Sequence, residues 1–414
     1  MNKERKNLAK NTIALYIMNI VKLIFPLLTL PYLTRILSTT TYGFVTYVKS
    51  LIVYVQLFID FGFLLSATKN IVRAQTKEEI GSIIGNTIFE KLILGLIATI
   101  LFIVASLFIP IIQKNICFSL LYLISSLVSI FILDFLYRGI EKMNYVAIPY
   151  IVSKTISLIF TFIIVKNDND IMYIPLFEFF GNLIAAFMSI YFLKRVHIKI
   201  NYKNLKNSFS DLKDSLIYFI SNFATTIFGA LTTIVAGFYI SEENIAFWGI
   251  CMQILAAAKA LYNPLTNSLY PYMLRKRNIK LINKIALIMV IPMVAGTVLV
   301  IFGNEFIFRI IGGIKYEKAG ITLIFLLPAF IFSFYSMLYG WPVLGAIEKS
   351  KETTISTVIA AVFQIIELLF LGIYNCFNLK TLAISCSVTE FLLFIIRVII
   401  VYKNKDEFDN SIIL

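Results

Sequence analysis

Four ionisable residues stand where ionisable residues are rare. Lys22, Lys49, Lys259 and Glu367 each lie well inside an apolar run long enough to cross a bilayer. A bilayer core takes roughly 20 apolar residues. An ammonium group at that depth costs at least ~2.5 kcal/mol, so its presence points to a site. Lysine is a compact point charge and suits phosphate. Three lysines arriving on three helices would bind a diphosphate near the membrane midplane. A desolvated carboxylate such as Glu367 would carry a proton or another ion. The competing reading is that each lysine neutralises a buried acid. Lys and Arg together outnumber Asp and Glu by 37 to 23, which favours a basic cavity for the lysines. Glu367 admits either role.

Other charges inside the runs have local explanations. Asp134 and Arg138 are spaced i,i+4 and suit an ion pair on one helix. Glu390 and Arg397, two turns apart, suit a pair made by extension of the longer side chain. Lys154 would reach the nearer membrane surface along its own stem, and Asp60 would anchor a helix end. Glu90 and Lys91 would find partners on neighbouring helices. Tyr16, Tyr47, Tyr54, Tyr262 and Trp248 lie on the same runs as the deep lysines and could stack on sugar faces. For Tyr47 and Trp248 the usual place of such rings at the membrane interface is preferred.

These residues need helices to hold them at depth. Twelve apolar runs are predicted, at 12–36, 42–66, 82–109, 116–137, 146–166, 171–193, 215–240, 245–274, 284–308, 320–346, 353–374 and 379–402. The fold class is therefore an all-α integral membrane protein. Counted by side, 24 basic residues fall in the segments that share a side with the N-terminus and 7 in the others. That bias places both termini in the cytoplasm. The polar linker Lys194 to Asp214 divides the runs into two sets of six, residues 1–200 and 201–414. Each set would start from the cytoplasm, so a repeat would be parallel. Thr41-Tyr-Gly-Phe opens the second run and Phe247-Trp-Gly-Ile opens the eighth, a weak sign of such a repeat. Gly81 and Gly85 have the small-xxx-small spacing of close internal packing. Pro26, Pro31, Pro264, Pro271, Pro328 and Pro342 would bend their helices.

Composition narrows the class. The chain is 59% hydrophobic and only 14% charged, against about a quarter charged for a soluble protein. The net charge of +14 is spread between the runs and does not suggest nucleic acid. The first run is too long for a signal peptide. Cys117, Cys251, Cys376 and Cys386 lack metal or redox spacing, and the one histidine, His197, sits in the basic linker. No phosphate-binding loop of the nucleotide hydrolases is present. No cofactor, metal or covalent catalysis is expected.

Four segments carry a family resemblance. They are Phe25-Pro-Leu-Leu-Thr-Leu-Pro-Tyr-Leu-Thr-Arg-Ile-Leu37, Asp60-Phe-Gly-Phe63 with Ser66-Ala-Thr68, Tyr137-Arg-Gly-Ile-Glu-Lys-Met143, and Asn263-Pro-Leu-Thr-Asn-Ser-Leu-Tyr-Pro-Tyr272. The chain resembles the polysaccharide transporter family, the Wzx-type repeat-unit flippases of the multidrug/oligosaccharidyl-lipid/polysaccharide flippase superfamily. The resemblance implies two six-helix lobes around a central cavity in the bacterial plasma (inner) membrane. It implies that undecaprenyl-diphosphate-linked oligosaccharide moves from the cytoplasmic to the outer leaflet for O-antigen, capsule or exopolysaccharide assembly. A polysaccharide polymerase and a chain-length regulator would be its partners. Related lipid II flippases are similar in placing cations in spans 1, 2 and 8, where this chain has Lys22, Lys49 and Lys259. They use arginine, so bidentate phosphate binding does not carry over. Two alternatives are a drug/cation antiporter of the same superfamily, which would want an acidic cavity, and a membrane polysaccharide polymerase, which would want a large outer loop.

The charge bias predicts a labelling pattern. In a cysteine-free background, cysteines at Asn204 and Asn278 should react only from the cytoplasm, and cysteines at Asn115 and Asn169 only from outside. Reaction of position 204 from outside intact cells would contradict the two-lobe layout.

Overall fold

A computed structural model describes residues 3–202 and 208–408; residues 203–207, Asn204 among them, lie outside the described residues. The described residues contain no strand. Twelve helical segments are long and apolar enough to cross a membrane, from Lys10–Ile36 to Leu379–Lys403, and each overlaps a predicted run, with ends that differ by up to seven residues. Their outward surfaces are apolar, as at Phe302, Ile291 and Phe108. Backbone groups in hydrocarbon must be satisfied within the segment, and the helix does this.

Short polar residues set the helix starts. Thr76 caps the third span, its hydroxyl accepting from the Glu79 amide at 3.2 Å. The Glu79 carboxylate accepts from the Gln75 amide at 2.9 Å. Ser241 caps the eighth span and Asn378 the twelfth, the latter as a reciprocal capping box with Thr381. Most of the prolines do not interrupt their helices. Those at 26, 31, 264, 271 and 328 lie within continuous helix. Pro342 differs: it lies in a widened turn, Tyr339–Leu344, where Gly340 leaves helical geometry.

The chain forms two compact units, Met1–Ser38 with Tyr47–Phe223, and Thr39–Thr46 with Ala224–Leu414. In the first unit, two of the family-like segments are turns with evident causes. Phe61 and Gly62 both have positive φ, 36° and 83°, and end the helix at Asp60 before a new one starts at Phe63. A Cβ at Gly62 would also lie 2.7 Å from the Tyr218 Cβ, so only glycine suits the position. Gly139 to Met143 turns the fourth span into the fifth, with the Lys142 amide donating to the Tyr137 carbonyl at 2.8 Å. Asn11 of the first span clasps this turn. Its amide donates to the Glu141 carbonyl at 2.6 Å and its carbonyl accepts from the Met143 amide at 3.3 Å. Gly81 and Gly85 do pack internally, but against a non-helical segment: their Cβ positions are taken by the Lys199 and Asn201 carbonyls.

The second unit includes the start of the second span, Thr39–Thr46. Here the two similar sequences meet. A Cβ on Gly43 would collide with the Glu242 carbonyl, and a Cβ on Gly249 would collide with Thr46. Each glycine therefore lets its helix approach the other. Trp248 is fully buried, and its indole donates to Thr233 Oγ1 at 3.1 Å. Tyr47, in the first unit, is also fully buried. The expected interfacial position of these two rings is thus corrected: both are core residues.

Gly181 in the sixth span provides a packing test. Its Cβ would come 2.7 Å from the Ser153 carbonyl of the fifth span. Gly181→Val should destabilise the detergent-purified protein by about 1–3 kcal/mol, read as a lower melting temperature. Gly296→Ala, with nothing within 4 Å of its Cβ, should melt no lower than the parent.

Candidate functional site

In the first unit, charged residues gather around two tyrosines. Lys22, Lys49, Lys154 and Glu178 lie 12, 10, 10 and 10 residues beyond the first residue of their spans, Lys10–Ile36, Thr39–Arg73, Asn144–Ile164 and Asp168–Val196. At 1.5 Å rise per residue, ten residues into a span is about 15 Å, half of a ~30 Å hydrocarbon core. The Lys154 ammonium donates to Glu178 Oε1 at 2.9 Å. Lys154 therefore does not run to the membrane surface as expected. It lies opposite a glutamate placed the same number of residues beyond Lys166 in the next span. Lys22 stands over the Tyr150 ring, 5.1 Å from its centroid, and Lys49 stands over Tyr122 at 5.9 Å. Both are cation–π distances.

Electrostatic reach joins these contacts into one cluster. Glu178 acts on Lys49 as well as Lys154, and Tyr150 lies near both Lys154 and Glu178. Around the two rings there are three lysines and one glutamate. Asp134 and Arg138, of opposite sign, are within reach of Lys22. Neither Lys22 nor Lys49 forms an ion pair with a carboxylate among the described residues. Both keep accessible surface at their depth. A separate pair, Lys91 with Asp60 at 3.0 Å, joins the third span to the second. Asp60 also accepts from Gln56 of its own helix at 3.0 Å; its bond to Lys91 links two spans, so it does more than end one.

The deep charges of the second unit balance, Lys259 and Arg397 against Glu390 and Glu367. Lys259 is ion-paired with Glu390 of the twelfth span. Glu390 Oε2 also accepts from the Ser336 hydroxyl at 3.4 Å. The expected pairing of Glu390 with Arg397 is replaced by this contact with Lys259. Arg397 is buried and donates to Ser356 Oγ at 3.1 Å, to Thr357 Oγ1 at 2.9 Å and to the Ser336 carbonyl. Glu367 accepts from Ser385 Oγ at 2.9 Å and Thr389 Oγ1 at 2.8 Å, through one carboxylate oxygen. Ser385 in turn accepts from the Gln364 amide at 2.8 Å. No ion pair of Glu367 occurs among the described residues. No group of three or more His, Cys, Asp or Glu residues suited to a metal occurs among them either.

Sequence reasoning missed Glu178 and Glu390 as partners and Tyr122 and Tyr150 as supports. The symmetry of Lys154 and Glu178 about the hairpin tip was a usable signal. Nothing in the sequence linked Lys259 to Glu390, 131 residues away.

Twelve apolar spans with lysines and ion pairs at midplane depth define a polytopic membrane protein of the transporter class. Residues 8–277 match the family described as "Polysaccharide biosynthesis protein", and the chain belongs to that family. A Shigella dysenteriae protein provisionally named as an O-antigen transporter is 29% identical over 360 residues, covering 84% of this chain and 88% of the relative. An Escherichia coli (strain K12) protein with the same provisional name is 25% identical over 415 residues, covering 96% and 98%. Among solved structures, the lipid II flippase MurJ in an inward closed conformation aligns with a TM-score of 0.72 at 15% identity, over 96% of this chain and 89% of that one. A MATE protein in complex with Br-NRF aligns at 0.58 and 14% identity, over 98% and 96%. These two likenesses establish the fold.

The Lys154–Glu178 pair yields a stability prediction. Glu178→Gln should strand a cation and cost roughly 2 kcal/mol, less than a fully buried pair would lose because both groups keep some exposure. Replacing both residues by leucine should restore most of the loss. Melting of the purified proteins decides: a double variant as unstable as Glu178→Gln would contradict the pairing account.

Proposed function

We propose that this protein is a flippase that moves undecaprenyl-diphosphate-linked oligosaccharide repeat units from the cytoplasmic to the outer leaflet of the bacterial plasma membrane. It does so by alternating access of a cavity between two six-helix lobes, 1–200 and 201–414, with both termini cytoplasmic. The observation that carries this reading is the excess of lysine around Tyr122 and Tyr150 at midplane depth. An accessible ammonium group at that depth would be costly against lipid. It is far less so if it faces water and then the phosphates of a lipid carrier. Family membership and the provisional names of the relatives support the same reading. The basic character of the cluster argues against a cationic drug as cargo.

In this reading Lys22 and Lys49 are the diphosphate-binding groups of the first unit, and Lys259 is that of the second. The tyrosine rings hold the first two ammonium groups in place without neutralising them. Glu367, hydrogen-bonded but without a cationic partner among the described residues, is the proton or ion carrier that couples transport to a gradient. Polymerase and chain-length regulator would act on the delivered repeat units at the outer face.

In a strain lacking the native gene, Lys22→Ala and Lys49→Ala should each cut surface polysaccharide at least tenfold while the membrane fraction retains normal protein. Arginine at either position should restore part of the activity, because charge is kept and geometry changed. Normal polysaccharide from the double alanine variant would refute the site. Glu367→Gln should flatten the dependence of transport on pH or sodium, and an unchanged dependence would return Glu367 to a structural role.

A further inference from the structure

The Lys259–Glu390 pair borders a cavity of about 190 Å³ within the second unit. Phe228, Met252 and Leu255 give it an apolar wall, and Lys259 and Glu390 lie at its polar end. The two partners are unequally accessible. The Lys259 side chain is 30% exposed and that of Glu390 only 8%. An anion arriving from the cavity therefore meets the ammonium group first, with the carboxylate behind it.

Glu390 has a second cation to answer to. Ser336 hydrogen-bonds Glu390 through its hydroxyl and accepts from Arg397 through its carbonyl. Glu390 and Arg397 are seven residues apart, two turns along one face of the same helix, and they are within Coulombic reach. Arg397 has no carboxylate within ion-pair distance among the described residues. A buried carboxylate that loses its only cation is strongly disfavoured. Glu390 is not in that position: when Lys259 leaves it, Arg397 and Ser336 remain.

We propose that Glu390 is a specificity-determining residue that competes with the substrate's phosphates for Lys259. Resting, the carboxylate occupies the ammonium group and shuts out weak anions. A lipid-linked diphosphate, with its greater charge, displaces it, and Glu390 turns its charge toward Arg397. On release the carboxylate returns to Lys259 and helps expel the phosphates. Arg397 also abuts Gly340, where a Cβ would lie 2.7 Å from its guanidinium. Partner exchange at Glu390 thus reaches the widened turn Tyr339–Leu344 in the tenth span. This inference rests on the diphosphate-lipid reading given above.

The test uses the full-length purified protein and farnesyl diphosphate as a short lipid diphosphate, titrated by calorimetry. Glu390→Gln keeps the shape of the side chain and removes its charge. It should bind the probe about tenfold more tightly than the parent, yet transport more slowly because release is unaided. In a Lys259→Ala background the same change should give no gain. Glu390→Asp keeps the charge but loosens the pair and should bind about threefold more tightly, which preserves the test if the glutamine variant fails to fold. Binding by the parent with no gain in either variant overturns the competition while leaving the diphosphate reading intact. A gain that persists without Lys259 also overturns it. Absence of binding by parent and variants alike removes the diphosphate reading, and this inference with it.

Discussion

Charge held in hydrocarbon is the constraint on which the rest of this structure depends. A lysine at the bilayer midplane must be paired, wetted or removed. The molecule uses pairing for Lys91, Lys154 and Lys259, which meet Asp60, Glu178 and Glu390. Each pair joins different spans, so every cation that is neutralised also fixes helix to helix. Lys22 and Lys49 are treated differently. They stand over tyrosine rings, which orient an ammonium group while leaving its charge available.

The two units divide the electrostatic work. The first concentrates uncompensated lysine around Tyr122 and Tyr150. The second is balanced, with Lys259 and Arg397 set against Glu390 and Glu367. Hydroxyls complete the second unit: Ser336, Ser356, Thr357, Ser385 and Thr389 each bond a charged group. Such short side chains allow close helix packing and still satisfy buried polar atoms. On the proposed function, the basic first unit would capture the anion and the second would change state through the exchange proposed at Glu390.

The helices were legible in the sequence because run length in hydrocarbon is a strong and local signal. Helix starts were placed less well: the expected runs began at 82 and 245, whereas capping by Thr76 and Ser241 starts the helices at Lys77 and Glu242. Partner identity was less legible. Lys154 and Glu178 share one hairpin, and their equal distance from its tip could have paired them. Lys259 and Glu390 meet only through the packing of the eighth and twelfth spans, which no local pattern encodes. Trp248 and Tyr47 misled because an aromatic near a span end is usual at an interface, whereas here tertiary packing buries both rings. The Gly81 and Gly85 spacing correctly signalled close approach but could not say that the approaching chain was the non-helical segment at Lys199–Asn201.

The central claim is that the uncompensated lysines at midplane depth recognise diphosphate on a lipid. Native mass spectrometry of the purified protein with equal amounts of undecaprenyl diphosphate and undecaprenol tests it most directly. The account predicts that the parent retains the diphosphate lipid over the alcohol, and that Lys22→Ala/Lys49→Ala loses this preference while staying folded. Equal retention of the two lipids by the parent, or an unchanged preference in the double variant, would contradict it.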